Sequence, residues 1–377
     1  MIRTATSQDL NALIDIENRC FDTDRLSPRS FRYMLTKANA VTVVDELDGV
    51  VRGYAMVLFN AGTSLARMYS IAVDPDWRGR GMGRELLAAA EQKALDRDCV
   101  YMRLEVRKDN PASIALYQSM GYRQFGVYDD YYEDHMEALR FEKELAPHLN
   151  PEMVSVPYYE QTLDFTCGPA ALMMAMRALD DSMVLDRRLE IRIWRESTTV
   201  FMTAGHGGCG PYGLALSAHH RGFDVEVYVN DEGALFVDSV RNEEKKEVIR
   251  IVQEDFLQEL EHVPVPVHYR RLNVAEMREE FERGGMPVVL ISSYRIYKEK
   301  FPHWVVVTGF DDRFIYVHDP FVDRDLGKTE TDCINMPILQ KDFERMARYG
   351  KSGQRAVVII RKRKAARRRR ATAKKRS

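Results

Sequence analysis

The stretch Val73-Asp74-Pro75-Asp76-Trp77-Arg78-Gly79-Arg80-Gly81-Met82-Gly83-Arg84-Glu85-Leu86 changes character twice within a few residues. The apolar run that enters it, residues 65–73, reads as a strand. A Pro-Asp break stops the strand, three glycines follow at alternate positions, and Leu86, Leu87 and Ala90 then recur at helical spacing. A strand is therefore turned into a helix through glycine. The first amides of a helix have no partner inside it, residues without Cβ let an anion approach them, and the helix dipole favours negative charge there. The ligand this predicts is a nucleotide-type diphosphate.

Alternating glycines also mark dinucleotide-binding turns, but those follow the first strand of their domain and are answered by an acidic residue about 20 positions on. Here several strand-like runs come first. The spacing Arg78-x-x-Gly81-x-Gly83 after Ala72-Val73-Asp74-Pro75 resembles the acetyl-CoA pyrophosphate loop of the GNAT N-acetyltransferase family. The surrounding order agrees with it. Ser7 is placed to cap a helix carrying Leu10, Leu13, Ile14 and Ile16; strand-like runs cover residues 40–44, 51–59 and 65–73; the helix after the turn runs to about Asp96; then come a strand at 100–106, a short helix at 114–120, and strands at 125–132 and 135–141. The fold expected for residues 1–145 is an α/β GNAT fold, a mixed central sheet with flanking helices. The resemblance implies acetyl-CoA as cofactor, held by Ile71 and Val73 on the strand and by Arg78, Gly79, Arg80, Gly81, Met82, Gly83 and Arg84 in the turn.

Leu104-Glu105-Val106-Arg107, followed by Asn110-Pro111-Ala112-Ser113-Ile114-Ala115-Leu116-Tyr117-Gln118-Ser119-Met120-Gly121-Tyr122, resembles the ribosomal-protein alanine N-acetyltransferase branch, which acetylates protein N-termini. The resemblance implies that Glu105 is the general base, Tyr117 the general acid, and Asn110 a contact to the cofactor arm. The chemistry needs both catalytic groups: an ammonium must lose a proton before attacking a thioester, and the departing thiolate must gain one. Taken singly, a strand Glu faces solvent and a Tyr at helical spacing from Ile114 is core. Their joint spacing from the glycine turn is what argues for a site.

At 377 residues the chain is long enough for two domains, and 45% hydrophobic with 30% charged residues is the balance of a soluble globular protein. Met1-Ile2-Arg3-Thr4-Ala5 has no apolar signal core and no stretch approaches a membrane span, so a cytoplasmic location without membrane partners is expected. Five cysteines, Cys20, Cys99, Cys167, Cys209 and Cys333, include no CxxC pair, which argues against a disulfide framework. Cys20 and Cys99 are expected as buried thiols, and Cys333 has no identifiable partner. Residues 361–377 hold eleven Lys or Arg and no acid, leaving an acidic body. That basic tail is expected to be disordered, and it is an arm attracted to RNA, ribosomes or another polyanion, a solvated end, or a segment docked on the chain's own acidic body.

Two prolines within residues 146–151 mark a linker. Beyond it Thr166 is placed to cap a helix with Ala171, Leu172, Met174 and Ala175 on its apolar face, which puts Cys167 in the first turn. A thiol there has its thiolate, the nucleophilic form, stabilised by the dipole. His303 opens an apolar strand and Asp319 follows the next one. A hairpin turning at Asp311-Asp312-Arg313 would set the histidine and the carboxylate side by side as base and orienting group. Gln161 is placed to donate its amide to an oxyanion.

The series Gln161, Cys167-Gly168-Pro169, His303-Trp304-Val305-Val306-Val307 and His318-Asp319-Pro320 resembles the papain-like bacteriocin-leader peptidases over residues 152–360. It implies an α+β papain-like cysteine peptidase fold and cleavage of a peptide bond. His206 and Cys209, with His219 and His220 nearby, lack a second cysteine pair, so their loop is expected to face substrate and no metal is expected. Asn273 and Glu276 form a capping box for a helix ending at Gly284-Gly285. The expectation is a bifunctional enzyme, acetyltransferase plus thiol peptidase, acting on protein or peptide. Two other readings stay open: a second domain that binds peptides without cutting them, and a ribosome- or RNA-associated factor that relies on its tail.

Overall fold

The computed structural model describes residues 1–202 and 205–363. In chain order its principal elements begin with β1 (Ile2–Thr4), α1 (Leu10–Cys20), α2 (Pro28–Thr36), β2 (Ala40–Leu47), β3 (Val50–Phe59), β4 (Leu65–Val73), α3 (Met82–Leu95), β5 (Tyr101–Arg107), α4 (Pro111–Ser119), β6 (Arg123–Tyr128), β7 (Ala138–Glu144) and β8 (Glu152–Met153). There follow α5 (Cys167–Leu179), α6 (Arg187–Ser197), β9 (Phe201–Met202), β10 (Gly205–His206), α7 (Pro211–His220), β11 (Phe223–Val229), α8 (Glu243–Leu260), β12 (Val267–Tyr269), α9 (Val274–Glu282) and β13 (Met286–Ser292). The last are α10 (Tyr294–Tyr297), β14 (Pro302–Phe310), β15 (Phe314–His318), β16 (Met336–Leu339), α11 (Gln340–Met346) and β17 (Ala356–Lys362). The chain forms two compact units. The first holds residues 1–154, 292–301 and 308–346; the second holds 155–291, 302–307 and 347 onward.

In the first unit a seven-stranded sheet runs β1-β2-β3-β4-β5-β7-β6, antiparallel except for the step from β4 to β5. The α3 stripe Met82, Leu86, Leu87, Ala90 and Ala94 is buried with Val57, Met68, Leu104 and Phe141 on one face. Leu13, Ile16 and Phe31 of α1 and α2 cover Val44, Tyr54 and Met56 on the other. Thr6, not Ser7, starts the first helical segment: its side chain accepts from Gln8 N, and Asp9 reciprocates in a capping box before α1. The helix α2, absent from the sequence expectation, carries Phe31, Met34 and Leu35 at helical spacing; Ser27 caps it by accepting from Ser30 N, Phe31 is fully buried, and Met34 and Leu35 pack beside it partly buried. The same unit contains β15 and β16, paired antiparallel, and the turn before β15, where Asp311 Oδ1 accepts from Arg313 N and Phe314 N at 2.7 Å each.

The second unit is built on a sheet that includes the order β12-β11-β17-β13, with β17 antiparallel to both neighbours. The helix α5 is buried along nearly its whole length, from Cys167 to Met176, so it is a central helix and not an amphipathic one. The capping box of Asn273 and Glu276 is present, and α9 closes at Gly284, whose φ of 83° suits the left-handed stop. Arg361 and Lys362, expected in a disordered tail, are strand residues of β17: Arg361 is ion-paired to Glu226 at 2.7 Å and to Glu280, partners that composition alone does not reveal. Residues 364–377, the remainder of that tail, lie outside the described residues, as do Thr203 and Ala204 of the expected substrate-facing loop; what is described beside them pairs as a short hairpin, β9 with β10.

Candidate active sites

Pairing between β4 and β5 extends only from Leu65 with Tyr101 to Met68 with Leu104. Past that point β4 pairs with β3 and β5 pairs with β7, so the sheet opens between the two strands and Glu105 is the first β5 residue in the opening. The chain leaves the far end of β4 through the glycine turn. Gly79 and Gly81 have φ of 76° and 80°, with open space where a Cβ would stand. Gly81 precedes α3 without a side-chain cap, and among the described residues the amides of Arg80, Gly81, Met82 and Gly83 carry no hydrogen bond. Those amides fit a diphosphate. Gly83 serves packing instead, since a Cβ there would lie 3.3 Å from Leu116 of α4.

Three arginines brace the turn. Arg78 Nε donates to Val73 O at 3.1 Å, Arg80 stacks on Trp77 with 4.8 Å to the ring centroid, and Arg84 Nη2 donates to Ser119 Oγ at 2.6 Å. Ile71 and Val73 pack against the α3 core. Asn110 caps α4 by accepting from Ser113 N at 3.1 Å, so its side-chain oxygen is used locally.

Alternation along the strands divides the catalytic candidates between the two faces of the sheet. Tyr117 packs with Phe141 and Tyr122 on the α3 side, 4% exposed, and burial pushes its phenol well above the ordinary value. Glu105 points to the opposite face together with Arg67, Arg103 and Arg140. Its Oε2 accepts from Arg67 Nε at 2.9 Å and its Oε1 from Thr329 Oγ1 at 3.4 Å. The Arg67 guanidinium goes on to Asp332 Oδ2 at 3.1 Å, Gly327 O at 3.1 Å and Tyr131 OH at 3.0 Å. Burial works against that charge, but Glu105 and Asp332 outweigh it and the guanidinium is held above its ordinary pKa. Arg67 is the functional candidate that sequence reasoning missed. The available signal was a lone arginine in a strand otherwise without charged residues.

Cys167 is the first residue of α5 and is 6% exposed. Thr166 does not cap the helix: its hydroxyl donates to Leu163 O at 2.8 Å and to Glu190. The reason is the buried Glu190 carboxylate, which also takes Thr162 N at 2.8 Å, Thr162 Oγ1 at 2.7 Å and Tyr159 OH at 3.0 Å, clamping the segment ahead of the thiol. Gln161 lies in that segment with Nε2 donating to Leu163 O at 2.8 Å.

A Cβ on Gly168 would stand 3.2 Å from both Cys209 and Trp304, so the start of α5 lies against the strand residue that follows His303. Trp304 Nε1 donates to Cys209 O at 3.0 Å, and His303 is 1% exposed as the second residue of β14. Burial, and then the neighbouring Cys167, push the Cys209 thiol well up. Asp319, fully buried and counted with the first unit, accepts from Tyr297 OH at 2.6 Å and Phe321 N at 2.9 Å. Cys333, also in the first unit, donates to Phe321 O at 3.3 Å. His206 packs on Phe165 at 5.1 Å between ring centroids, and among the described residues no three metal-ligating side chains come together.

Residues 156–361 match the model of the Peptidase_C39 like family, and residues 10–122 match that of the Acetyltransferase (GNAT) family. Over 157 residues the chain is 31% identical to an uncharacterized N-acetyltransferase of Methanocaldococcus jannaschii, covering 41% of this chain and 99% of that one. Over 67 residues it is 43% identical to the ribosomal protein bS18-alanine N-acetyltransferase of Salmonella typhimurium, covering 18% of this chain and 45% of that one. The crystal structure of the ribosomal-protein-S18-alanine N-acetyltransferase from Escherichia coli aligns with a TM-score of 0.36 at 26% identity, over 40% of this chain and 96% of that one. The chain thus belongs to the GNAT acetyltransferase family through its first part and to the Peptidase_C39 like family through its second. Acetyl-CoA is the cofactor that goes with the GNAT part.

Proposed function

We propose that this protein is a bifunctional enzyme of the cytoplasm that acetylates a protein or peptide amine and cleaves a peptide bond with a thiol. The observation that carries the first activity is the opening between β4 and β5, with Glu105 at its edge and the open amides of Arg80–Gly83 at the head of α3. Acetyl-CoA supplies an acyl thioester there when bound, with Ile71, Val73 and the residues from Arg78 to Arg84 as its holders and Asn110 at its arm. Glu105 would take a proton from the acceptor's amine nitrogen at a carboxylate oxygen. Tyr117 would be the group that gives up a proton, at its phenolic oxygen.

For the second activity Cys167 is the nucleophile, His303 its base and Asp319 the group that orients the base, with Gln161 facing the oxyanion. The contact of Gly168 with Trp304, which brings the two chain segments together, supports this reading. One observation favours a second reading, in which this part holds peptides without cutting them: the Gln161 amide donates to Leu163 O within its own loop.

The test is incubation of the whole chain with acetyl-CoA and a peptide library, followed by mass spectrometry of wild type, Glu105→Ala and Cys167→Ala. Acetylated products that persist in Glu105→Ala, or shortened products that persist in Cys167→Ala, refute the corresponding assignment. Absence of shortened products from wild type, with peptide still bound, selects the non-cleaving reading.

A further inference from the structure

The face of the first unit's sheet that carries Glu105 is covered by the segment 327–335 of the same unit, and the cover is polar. Arg140 Nη1 donates to Glu330 Oε1 at 3.0 Å. Arg103 Nη1 donates to Thr331 O at 2.8 Å and to Ile334 O. Arg67 holds Gly327 O and Asp332 Oδ2, and Thr331 N donates to Tyr128 OH at 3.1 Å. Thr329, flanked by these contacts, reaches Glu105 itself. Ordinary packing between a loop and a sheet buries apolar side chains, whereas here carboxylates and carbonyls are set against three guanidiniums, with Thr331 fully buried and Asp332 nearly so.

The loop is also closed at its neck. Asp319 N donates to Cys333 O at 2.9 Å, and Asn335 N donates to His318 Nδ1 at 2.9 Å. Gly327, with φ of 71°, lets the chain reverse before the tip. The pairing of β15 with β16 lies outside the segment, so the tip is able to lift while those strands stay paired.

We propose that Arg67, Arg103, Arg140, Tyr128 and Tyr131 form the acceptor-binding face of the acetyltransferase, that this face selects peptides bearing carboxylates close to their reactive amine, and that residues 327–335 occupy it as an internal stand-in for such a peptide. The proposal rests on the transferase reading above and names its substrate class. A face filled by its own chain binds an outside peptide with an affinity reduced by the fraction of time it is open. Loosening the stand-in therefore raises that affinity.

The experiment uses the whole chain and two fluorescein-labelled nonapeptides. One has the sequence of residues 327–335 with serine for the cysteine, and the other is the same with Gln and Asn for its Glu and Asp. Fluorescence anisotropy on wild type and on Thr329→Ala/Glu330→Ala is expected to show the acidic peptide binding the variant about tenfold more tightly than wild type, the gain of one charge-assisted contact. The amidated peptide is expected to bind the variant at least about tenfold more weakly than the acidic one. In wild type, millimolar acidic peptide is expected to speed amide hydrogen exchange within 327–335, a measurement that decides the matter if the variant does not fold. Equal affinities for the two peptides, or exchange unchanged by the acidic one, overturn the proposal. Calorimetry with CoA separates the two levels: no heat with CoA overturns the transferase reading, whereas heat with CoA and indifferent peptides overturns only the acceptor assignment.

Discussion

Arg67→Met is the most demanding perturbation of this architecture. The guanidinium is 4% exposed and is shared between Glu105, also 4% exposed, and Asp332, 7% exposed. Methionine keeps the aliphatic volume but leaves two nearly buried carboxylates without the guanidinium they share. Breaking a buried ion pair by deleting one partner costs about 3–5 kcal/mol, because the remaining charge keeps its desolvation penalty and loses its compensation. For a unit of this size each kcal/mol lowers the melting temperature by roughly 2–4 °C, so the expected loss is on the order of 10 °C. The triple variant Arg67→Met/Glu105→Gln/Asp332→Asn removes the stranded charges as well and is expected to regain most of that loss.

The assay is thermal and urea unfolding followed by near-ultraviolet circular dichroism, with unchanged urea slopes as the check that the same surface is exposed each time. The amides at the head of α3 do not depend on Arg67, so heat of CoA binding is expected to survive at temperatures where the variant is folded. If Arg67→Met melts within about 1 °C of wild type, the pair behaves as an exposed one worth little, and the account of Glu105 as a sequestered carboxylate is wrong.

Two further expectations concern single groups. The Arg3 guanidinium that binds Asp9 pulls its carboxyl from 3.8 to about 2. The folded state therefore holds that proton less well than the unfolded chain, and the contribution is complete above pH 3.8 and lost as pH falls through about 2. Asp9→Asn should be less stable than wild type near pH 6 and lose most of that difference by about pH 1 in acid-denaturation curves; a difference that does not shrink as pH falls through about 2 contradicts the pairing. Iodoacetamide at neutral pH should label Cys167 ahead of Cys99, whose thiol burial pushes up to about 12, and ahead of Cys209, whose thiol is pushed up by the same cause. Peptide mapping that finds Cys99 modified as fast as Cys167 removes the argument for a selected thiol.

Much of the local structure was legible from residues close together in the chain. The glycine turn at Gly79–Gly83, Cys167 at the start of its helix, the hairpin turn at Asp311 and the Asn273–Glu276 capping box all depend on backbone freedom or on hydrogen bonds spanning a few positions. The misreadings came from competition that a short window does not contain. Thr166 gives its hydroxyl to Glu190, a residue 24 positions on, and Arg361 is drawn into a strand by Glu226, 135 positions back.

The amino-acid order by itself determined the glycine turn, the helix that follows it and most of the strands around them, because side-chain periodicity and turn propensity act over one or two turns of chain. Only the tertiary structure decided what those residues face. Arg67 meets Asp332 across 265 positions and Thr329 meets Glu105 across 224, and no local pattern encodes which carboxylate a buried guanidinium will find. Burial makes such a choice compulsory, since a charge removed from water must be answered by whatever partner the fold brings to it.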